Sequence, residues 1–326
     1  MPYIVPEPRL TRSITLQVQG DWGQANLHRI WSWLSQEIID RAGPFSRVGI
    51  WSGRGGLDAV QAVGRGQVDV ALAVPSAFVP MTLEGKGIAK GEAFPHLRAL
   101  GTMPQTDRLV VAVRAEHGVR SFEDFRRKAP KLTIAASPDD GTNTVGYASQ
   151  RLMEAAGLPR ATIQSWGGTY IERERPNDCV ALVRDGKADA VIHEAIMTQW
   201  WQDLANAVDM AFLPVEEHVL ATMQQAYRWP RASLPAGYLK GMNSELATLD
   251  FSDFLMIARA DLPDDVAYLL AWCMCERREV LERFYRHIPP ERSPVTYPLV
   301  PAKIAQTAIP LHPGALRYYQ DAKVMP

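Results

Sequence analysis

The sequence predicts an α/β protein built from two similar lobes, on three observations. Strand patterns alternate with helix patterns along most of the chain, which is typical of parallel sheets covered by helices. The 326 residues exceed what a single hydrophobic core usually holds. A pattern that joins a helix end to an apolar strand through a glycine and an aspartate occurs twice, at residues 63–71 and 183–191.

The composition excludes several classes of function. A net charge of −1 without any basic block gives no electrostatic footprint for nucleic acid. No apolar run approaches the roughly 18 residues that span a bilayer, so a membrane-spanning chain is not expected. The cysteines Cys179, Cys273 and Cys275 are expected to be core thiols. Without a P-loop, a dinucleotide fingerprint or a nucleophile elbow, no cofactor and no metal site are predicted.

The first third of the chain contains the clearest local pattern. Residues 13–19 alternate with period two and predict a strand, and a helix with one apolar face is predicted over 27–41. Residues 47–75 then predict a compact βαβ unit, with the turn Ser52-Gly53-Arg54-Gly55-Gly56 between its first strand and its helix. A further helix is predicted to begin at Pro75-Ser76.

The later elements follow the same alternation. Strands are predicted at 97–103, 109–113, 131–136, 188–192, 210–215 and 251–258. Helices are predicted from Ser121, where a capping box stands, and over 145–156, 216–228, 234–240 and 263–285.

The glycine-rich turn is the first candidate site. It lies where a strand ends and a helix begins, so unpaired N–H groups and the helix dipole can hold an anion. Arg54 adds a positive charge and a planar set of donors, which predicts a small acidic ligand. Two plainer interpretations stay open: the loop is only a tight turn, and Arg54 pairs with Asp58 on the following helix.

Aromatic and titratable residues supply further candidates. Trp22 and Trp166 each stand beside a glycine in a loop, where an indole can stack on a flat ligand or pack beneath its lobe. His193-Glu194 ends a strand; the pair can carry acid–base chemistry or orient a ligand or water. Residue 197 is Met, so these two residues are not part of a His-Glu-x-x-His zinc motif.

Five features in order give the chain a family resemblance. They are the loop 52–56 with the strand pattern 66–71, the segments 109–114 and 119–125, the loop 137–142, the second glycine–aspartate pattern at 185–190, and the closing stretch 311–319. In this order they resemble TAXI-type receptors, the solute-binding proteins of TRAP transporters. The resemblance covers nearly the whole chain from about Ser13.

The resemblance implies a type II periplasmic binding protein architecture, with two Rossmann-like lobes joined by hinge strands. Residues 1–109 and 214–326 would form lobe I and residues 110–213 lobe II, with the ligand cleft between them. In that family the ligand is usually a small organic acid. The matching positions are Trp22, Gly23, Ser52, Gly53, Arg54, Gly55, Pro75, Ser76, Ser137, Asp140, Gly141, Thr142, Asn143, His193 and Glu194.

The first expectation is therefore a non-catalytic receptor that closes on a small carboxylate and delivers it to TRAP membrane subunits. Aromatic carboxylates are among the candidate ligands. Because Asp139 and Asp140 bring negative charge to the second lobe, a ligand with one acidic end and a polar or cationic group is favoured. One alternative is a cytoplasmic enzyme on the same fold, such as an aromatic-acid decarboxylase that uses His193, Glu194 and Asp140. Another is a cytoplasmic ligand sensor.

The cellular location expected from the sequence depends on the N-terminus. Residues 1–9 lack a basic region followed by an apolar one, so the chain as written is expected to be cytoplasmic. It is expected to be periplasmic if a leader has been removed.

Overall fold

The computed structural model describes residues 4–21 and 25–325. It divides the chain into two compact units. Unit 1 comprises the residues up to 106 and those from 252 onwards, and unit 2 comprises residues 107–251. Each unit has its own sheet and its own helices, which confirms the predicted α/β class.

Twelve strands are present in the described residues. They are β1 (Thr15–Gln19), β2 (Arg47–Trp51), β3 (Val70–Ala73), β4 (Leu97–Met103), β5 (Arg108–Arg114), β6 (Thr133–Ala136), β7 (Thr169–Glu172), β8 (Ala190–His193), β9 (Met210–Phe212), β10 (Arg231–Leu234), β11 (Leu246–Asp250) and β12 (Phe254–Arg259).

The same ranges contain thirteen α-helices. They are α1 (Asn26–Ile39), α2 (Leu57–Gly64), α3 (Val79–Leu83), α4 (Phe122–Lys128), α5 (Thr144–Ala155), α6 (Arg160–Ser165), α7 (Pro176–Arg184), α8 (Gln199–Ala207), α9 (Glu217–Tyr227), α10 (Asp264–Glu276), α11 (Arg278–Arg283), α12 (Pro301–Ile304) and α13 (Pro313–Asp321).

The sheet of unit 1 has the order β2-β1-β3-β12-β4. Strands β1, β2 and β3 are parallel, whereas β12 runs antiparallel to both β3 and β4. The apolar face predicted for α1 is buried, including Ile30, Trp31 and Leu34. It packs in one core cluster with the fully buried Trp272 of α10. Burial of this apolar surface holds the helices on the sheet.

The sheet of unit 2 has the order β10-β11-β5-β8-β6-β7, and β9 pairs with β5 beside this path. Strands β6, β7 and β8 are parallel, and β5 runs antiparallel to β8. Helices α7 and α8 pack on this sheet through buried residues that include Val180, Trp201 and Leu204.

The repeated glycine–aspartate pattern has the same structural role in both units. The Asp69 carboxylate, just before β3, accepts a hydrogen bond from the Gln17 N–H of β1 at 2.7 Å. The Asp189 carboxylate, just before β8, accepts one from the Thr133 N–H of β6, also at 2.7 Å. Each aspartate therefore fixes the start of its strand against the neighbouring parallel strand.

Residues 214–251 belong to unit 2, although the sequence placed them in lobe I. They form β10 and β11, which pair with each other, and β11 then pairs with β5. The helix predicted over 234–240 is absent, because β10 ends at Leu234 and turns follow at Gly237 and Gly241, whose φ values are positive.

The long helix predicted over 263–285 is two helices, α10 and α11. They are separated at Arg277, whose φ of −102° and ψ of 6° leave the helical range. The three cysteines are buried, free thiols, as predicted. In the part of the chain that the structure describes, no helix is both long and apolar enough to cross a membrane.

Candidate functional site

The carboxyl ends of the parallel strands in unit 1 form the first candidate surface. Because β1, β2 and β3 point the same way, the loops that follow them lie at one edge of the sheet. The Gly20 N–H donates to the Trp51 carbonyl at 2.9 Å, and the Val74 N–H donates to the Gly55 carbonyl at 2.7 Å. We call this edge the unit 1 carboxyl edge, since ligands of open α/β sheets bind outside such strand ends.

The predicted ligand-binding residues of lobe I that fall within the described residues all lie at this edge. Ser52, Gly53, Arg54 and Gly55 follow β2, and the pair Pro75-Ser76 follows β3. Two further predictions, Trp22 and Gly23, lie outside the described residues.

The glycine-rich loop is already occupied by a carboxylate of the protein itself. Asp58, in the first turn of α2, accepts the N–H groups of Arg54 at 2.8 Å and Gly56 at 2.9 Å. The oxygen that accepts the Arg54 N–H, Oδ2, also accepts the Gln19 side-chain amide at 3.3 Å. Burial raises the pKa of Asp58, although these backbone hydrogen bonds act in the opposite direction. The prediction that these loop N–H groups bind an external anion is therefore wrong for Arg54 and Gly56.

The glycines of this loop have steric reasons to be there. Gly55 has a φ of +78°, a conformation that L side chains rarely adopt. A Cβ at Gly53 would lie 2.0 Å from the Gln19 amide nitrogen. The tight-turn interpretation thus accounts for Gly55, whereas at Gly53 the close atom is the end of a flexible side chain.

The N-terminus of α1 is capped in the same way. Asp21 is buried and accepts the N–H groups of Leu27 at 3.0 Å and His28 at 2.9 Å. Burial raises the pKa of Asp21. The positive end of this helix dipole is therefore offset by a carboxylate from the chain. Carboxylates of the chain itself therefore bind N–H groups both in the glycine loop and in the first turn of α1.

Arg54 and Trp51 remain as ligand-facing candidates at this edge. Arg54 is half-buried, and its charge lowers the pKa of Asp58, which supports the predicted pairing of these two residues. The Trp51 side chain, 59% exposed, precedes the glycine loop, and its ring nitrogen donates to the Gln17 side-chain oxygen at 2.7 Å. The sequence reasoning missed Trp51; a tryptophan directly before the loop was the available signal.

The corresponding edge of unit 2 brings Ser137 and His193 together. They follow or end the parallel strands β6 and β8, and both are buried. The Ser137 Oγ lies 2.9 Å from His193 Nε2. The Arg173 N–H, just beyond β7, donates to the Ala136 carbonyl at 3.1 Å, so all three strand ends meet. We call this the unit 2 carboxyl edge.

His193 is arranged as a neutral structural donor and not as a base. Its Nδ1 accepts the Glu194 N–H at 3.0 Å, so the proton of the neutral ring is on Nε2 and is donated to Ser137. Burial lowers the pKa of His193 to about 3. The Glu194 carboxylate lies 3.7 Å from Nδ1, but the charged form needed for an ion pair is disfavoured by full burial. The acid–base role expected for His193 in the enzyme alternative therefore has no support in this geometry.

The loop after β6 closes on itself. The Asp140 carboxylate accepts the N–H groups of Thr142 at 2.9 Å and Asn143 at 3.0 Å. Asn143 in turn caps α5 by accepting the Gly146 N–H at 2.9 Å, and Gly141 has a φ of +90°. These predicted residues lie at the unit 2 carboxyl edge, where Asp140 is exposed.

Trp166 lies at the opposite edge of the same sheet. It precedes β7, whereas the candidate loops follow the parallel strands β6 and β8. Its ring packs against Phe125 of α4, with the ring centroids 6.5 Å apart. The structure thus separates Trp166 from Ser137 and His193, and the packing interpretation holds for it.

Two arginines at the unit 2 carboxyl edge were missed. Arg173 is exposed and Arg175 is half-buried, and both stand between β7 and α7. The signal was the charged run Glu172-Arg173-Glu174-Arg175 at a strand end.

A small cavity of about 30 Å³ lies beside this edge. Ser137, Asp139, Ser149 and Tyr170 are among its lining residues. The buried Ser149 Oγ and Asp139 Oδ1 have no hydrogen-bond partner among the described residues. The volume suits about one water molecule, which needs polar partners of this kind.

Comparisons with known proteins agree with this architecture. The sequence model of the NMT1-like family matches residues 31–322. None of the curated proteins matches the chain. The structure of periplasmic binding protein BugD aligns over 96% of this chain and 96% of its own length, with 13% identity and a TM-score of 0.50.

Two further solved structures align less closely. A TctC solute binding protein from Polaromonas aligns over 97% of this chain and 99% of its own, with 12% identity and a TM-score of 0.49. PhnD1 from Prochlorococcus marinus, in complex with methylphosphonate, aligns over 83% and 89%, with 13% identity and a TM-score of 0.47. The likeness to BugD supports a type II periplasmic-binding-protein-like fold.

Proposed function

Because this chain belongs to the NMT1-like family, whose sequence model matches residues 31–322, and has this fold, we propose that it is a receptor for a small solute. The observation that carries the proposal is the unit 1 carboxyl edge. There the exposed Trp51 and the half-buried Arg54 flank Ser52 and Gly53 in the sequence, directly after β2. An indole and a guanidinium in such positions suit a planar ring that bears an acidic group.

The proposed ligand is a small organic acid held by side chains. Asp21 and Asp58 occupy loop and helix N–H groups at this edge, so the ligand carboxylate would depend on Arg54 for its charge partner. Because the same carboxylates repel a dianion, a monoanion that also carries a polar or cationic group is favoured. At unit 2, Arg173 and Arg175 are the groups of matching charge.

Binding can be tested with the purified full-length chain. Thermal shift and calorimetric titration would use a panel of monocarboxylates and dicarboxylates, each with and without an aromatic ring. We expect aromatic monocarboxylates to stabilise the wild type most. If no carboxylate shifts the melting temperature, the organic-acid proposal fails.

Matched control variants are available at and just before the start of β2, at Arg47 and Phe45. Arg54→Ala is expected to weaken binding about 10- to 100-fold, the cost of one charge-assisted hydrogen bond, while Arg47→Ala leaves it unchanged. Trp51→Ala is expected to weaken the binding of aromatic acids more than that of aliphatic acids. Phe45→Ala, at an exposed residue, should change the binding of neither class. Equal effects of Arg54→Ala and Arg47→Ala would remove Arg54 from the site.

The transport partner is proposed from the family resemblance stated for the sequence. We propose that the receptor serves TRAP-type membrane subunits as a TAXI-type protein in the periplasm. Adjacent genes for TRAP membrane subunits, together with an upstream leader sequence, would support this. Adjacent genes for ATP-hydrolysing transporter subunits would contradict the TRAP proposal and indicate that class of transporter as the partner.

Closure of two lobes over the solute stays a prediction. If the lobes close, the radius of gyration measured by small-angle scattering should fall when the tightest-binding carboxylate is added. An unchanged radius at saturating ligand would contradict it.

A further inference from the structure

A groove of about 420 Å³ lies beside β9, the short strand at the side of the unit 2 sheet. We call it the β9 groove. Ala115, directly after β5, is one of its lining residues, and the neighbouring Arg114 N–H donates to the Asp189 carbonyl, just before β8, at 2.8 Å. The groove therefore lies at the opposite edge of the sheet from Ser137 and His193.

One wall of the β9 groove is the outer edge of β9 itself. Among the described strands, β9 pairs only with β5. The Leu213 N–H, just after β9, donates to the Val111 carbonyl of β5 at 2.9 Å. Because pairing alternates along an antiparallel ladder, the main-chain groups of Met210 and Phe212 point away from β5. No residue that the structure describes forms a hydrogen bond with these groups, so they can serve water or a ligand.

The other wall is the segment 240–246, which leads into β11. Gly241 brings this segment close to β9, since a Cβ there would lie 2.5 Å from the Met210 carbonyl oxygen. The apolar lining residues Met210, Phe212, Met242 and Leu246 are each between 4% and 8% exposed. Two of them are methionines, whose flexible side chains adapt to apolar groups of different shape. The volume falls in the range of about 300–1,000 Å³ that is usual for small-ligand sites.

The charged side chains of the β9 groove favour an anion. The Lys240 ammonium lies 2.9 Å from the Asp209 carboxylate, and Glu245 accepts the Ser233 hydroxyl. Arg120 is exposed, and its guanidinium has no hydrogen-bond or ion-pair partner among the residues that the structure describes. A planar guanidinium in this state is suited to hold a carboxylate through paired hydrogen bonds.

We propose that the β9 groove is a second ligand site, which takes a small amphipathic monocarboxylate. Its apolar body packs against Met242 and Leu246, and its carboxylate pairs with Arg120. Asp209 and Glu245 disfavour a second negative charge on the ligand. The proposal does not rest on the receptor function, because the groove uses no residue of either carboxyl edge.

Octanoate is the probe, titrated into the full-length chain labelled with ¹³C at its methionine methyl groups. The signals of Met210 and Met242 should shift together and saturate with one dissociation constant, whereas that of Met256, in the core of unit 1, should not shift. Arg120→Ala should weaken binding about 10- to 100-fold, the cost of one charge-assisted hydrogen bond. Arg184→Ala, at an exposed residue of α7, is the matched control and should leave binding unchanged.

Two further arms locate the binding. Octanol lacks the carboxylate, so it should bind more weakly than octanoate and lose nothing more in Arg120→Ala. Arg54→Ala should leave the shifts of Met210 and Met242 unchanged, which separates the β9 groove from the unit 1 carboxyl edge.

Several results would overturn the proposal. They are the absence of a saturable shift at Met210 and Met242, equal losses in Arg120→Ala and Arg184→Ala, and shifts that Arg54→Ala abolishes. Shifts that follow the protein concentration instead of octanoate would also overturn it, since the groove would then be a contact between copies of the chain. None of these results depends on whether a carboxylate binds at the unit 1 carboxyl edge.

Discussion

The occupied glycine loop makes Asp58→Ala the most informative substitution in unit 1. The change removes the acceptor of the Arg54 and Gly56 N–H groups and one partner of the Gln19 amide. If the carboxylate holds the loop, the variant must lose stability and expose a vacant pair of N–H donors. Asp58→Asn retains the shape and one acceptor oxygen, so it should lose less.

The expected loss follows from counting these donors. Two main-chain N–H groups left without acceptors cost about 2–4 kcal/mol in a half-buried loop. Alanine also releases the burial penalty that raises the pKa of Asp58, which offsets part of this cost. A net loss of about 1–3 kcal/mol remains, equivalent to a fall in melting temperature of about 3–10 °C for a unit of this size.

Calorimetric unfolding of the full-length chain measures this fall. Asp261→Ala, at an exposed residue of unit 1, is the control and should change the melting temperature by less than about 2 °C. Added acetate should restore stability to Asp58→Ala by binding the vacated N–H groups, and should not do so for the wild type. An unchanged melting temperature together with no acetate effect would refute the carboxylate-occupied loop.

Three further predictions concern single contacts. Asp189→Ala should destabilise unit 2 more than Asp69→Ala destabilises unit 1, because Asp189 also pairs with the His117 ring at 3.1 Å. Denaturant unfolding would measure both losses of stability, and a larger loss for Asp69→Ala would contradict the prediction. Ser149→Ala should change the free energy of unfolding by less than about 1 kcal/mol because the hydroxyl has no described partner; a loss above about 2 kcal/mol would reveal a tightly held bridging water. Burial raises the folded-state pKa of Asp107 from 3.8 to about 6, so its contribution to stability is lost as the pH rises between these values. The free energy of unfolding of the wild type should therefore fall relative to that of Asp107→Asn over this window, and the difference should stay constant above it.

The sequence predicted those parts of the fold that are formed by residues close together in the chain. The βαβ unit at residues 47–75 was predicted because a strand pattern, a glycine-rich turn, a short helix, a glycine break and a second strand pattern follow one another directly, and β2, α2 and β3 lie there. The paired roles of Asp69 and Asp189 could be anticipated because both lie at the same place in a repeated motif.

Contacts between distant residues were not predictable in this way. Asp107 meets Ala195 and Ile196 across 88 and 89 residues, and nothing local marks it as their acceptor. The glycine loop looked like a vacant anion site because its occupant, Asp58, was considered only as a partner of the Arg54 side chain. Trp166 was placed wrongly because its loop precedes a strand, and such loops lie at the other edge of a parallel sheet.

The position of β12 has a consequence for how the chain folds as it is synthesised. This strand lies between β3 and β4 in the sheet of unit 1, yet it is built from residues 254–259. Unit 2 is a single continuous stretch that ends at residue 251, so it is complete before the ribosome reaches β12. The N-terminal strands therefore lack the strand that joins β3 to β4 while all of unit 2 is being synthesised. Their exposed apolar edges make this interval the stage at which a chaperone would matter most.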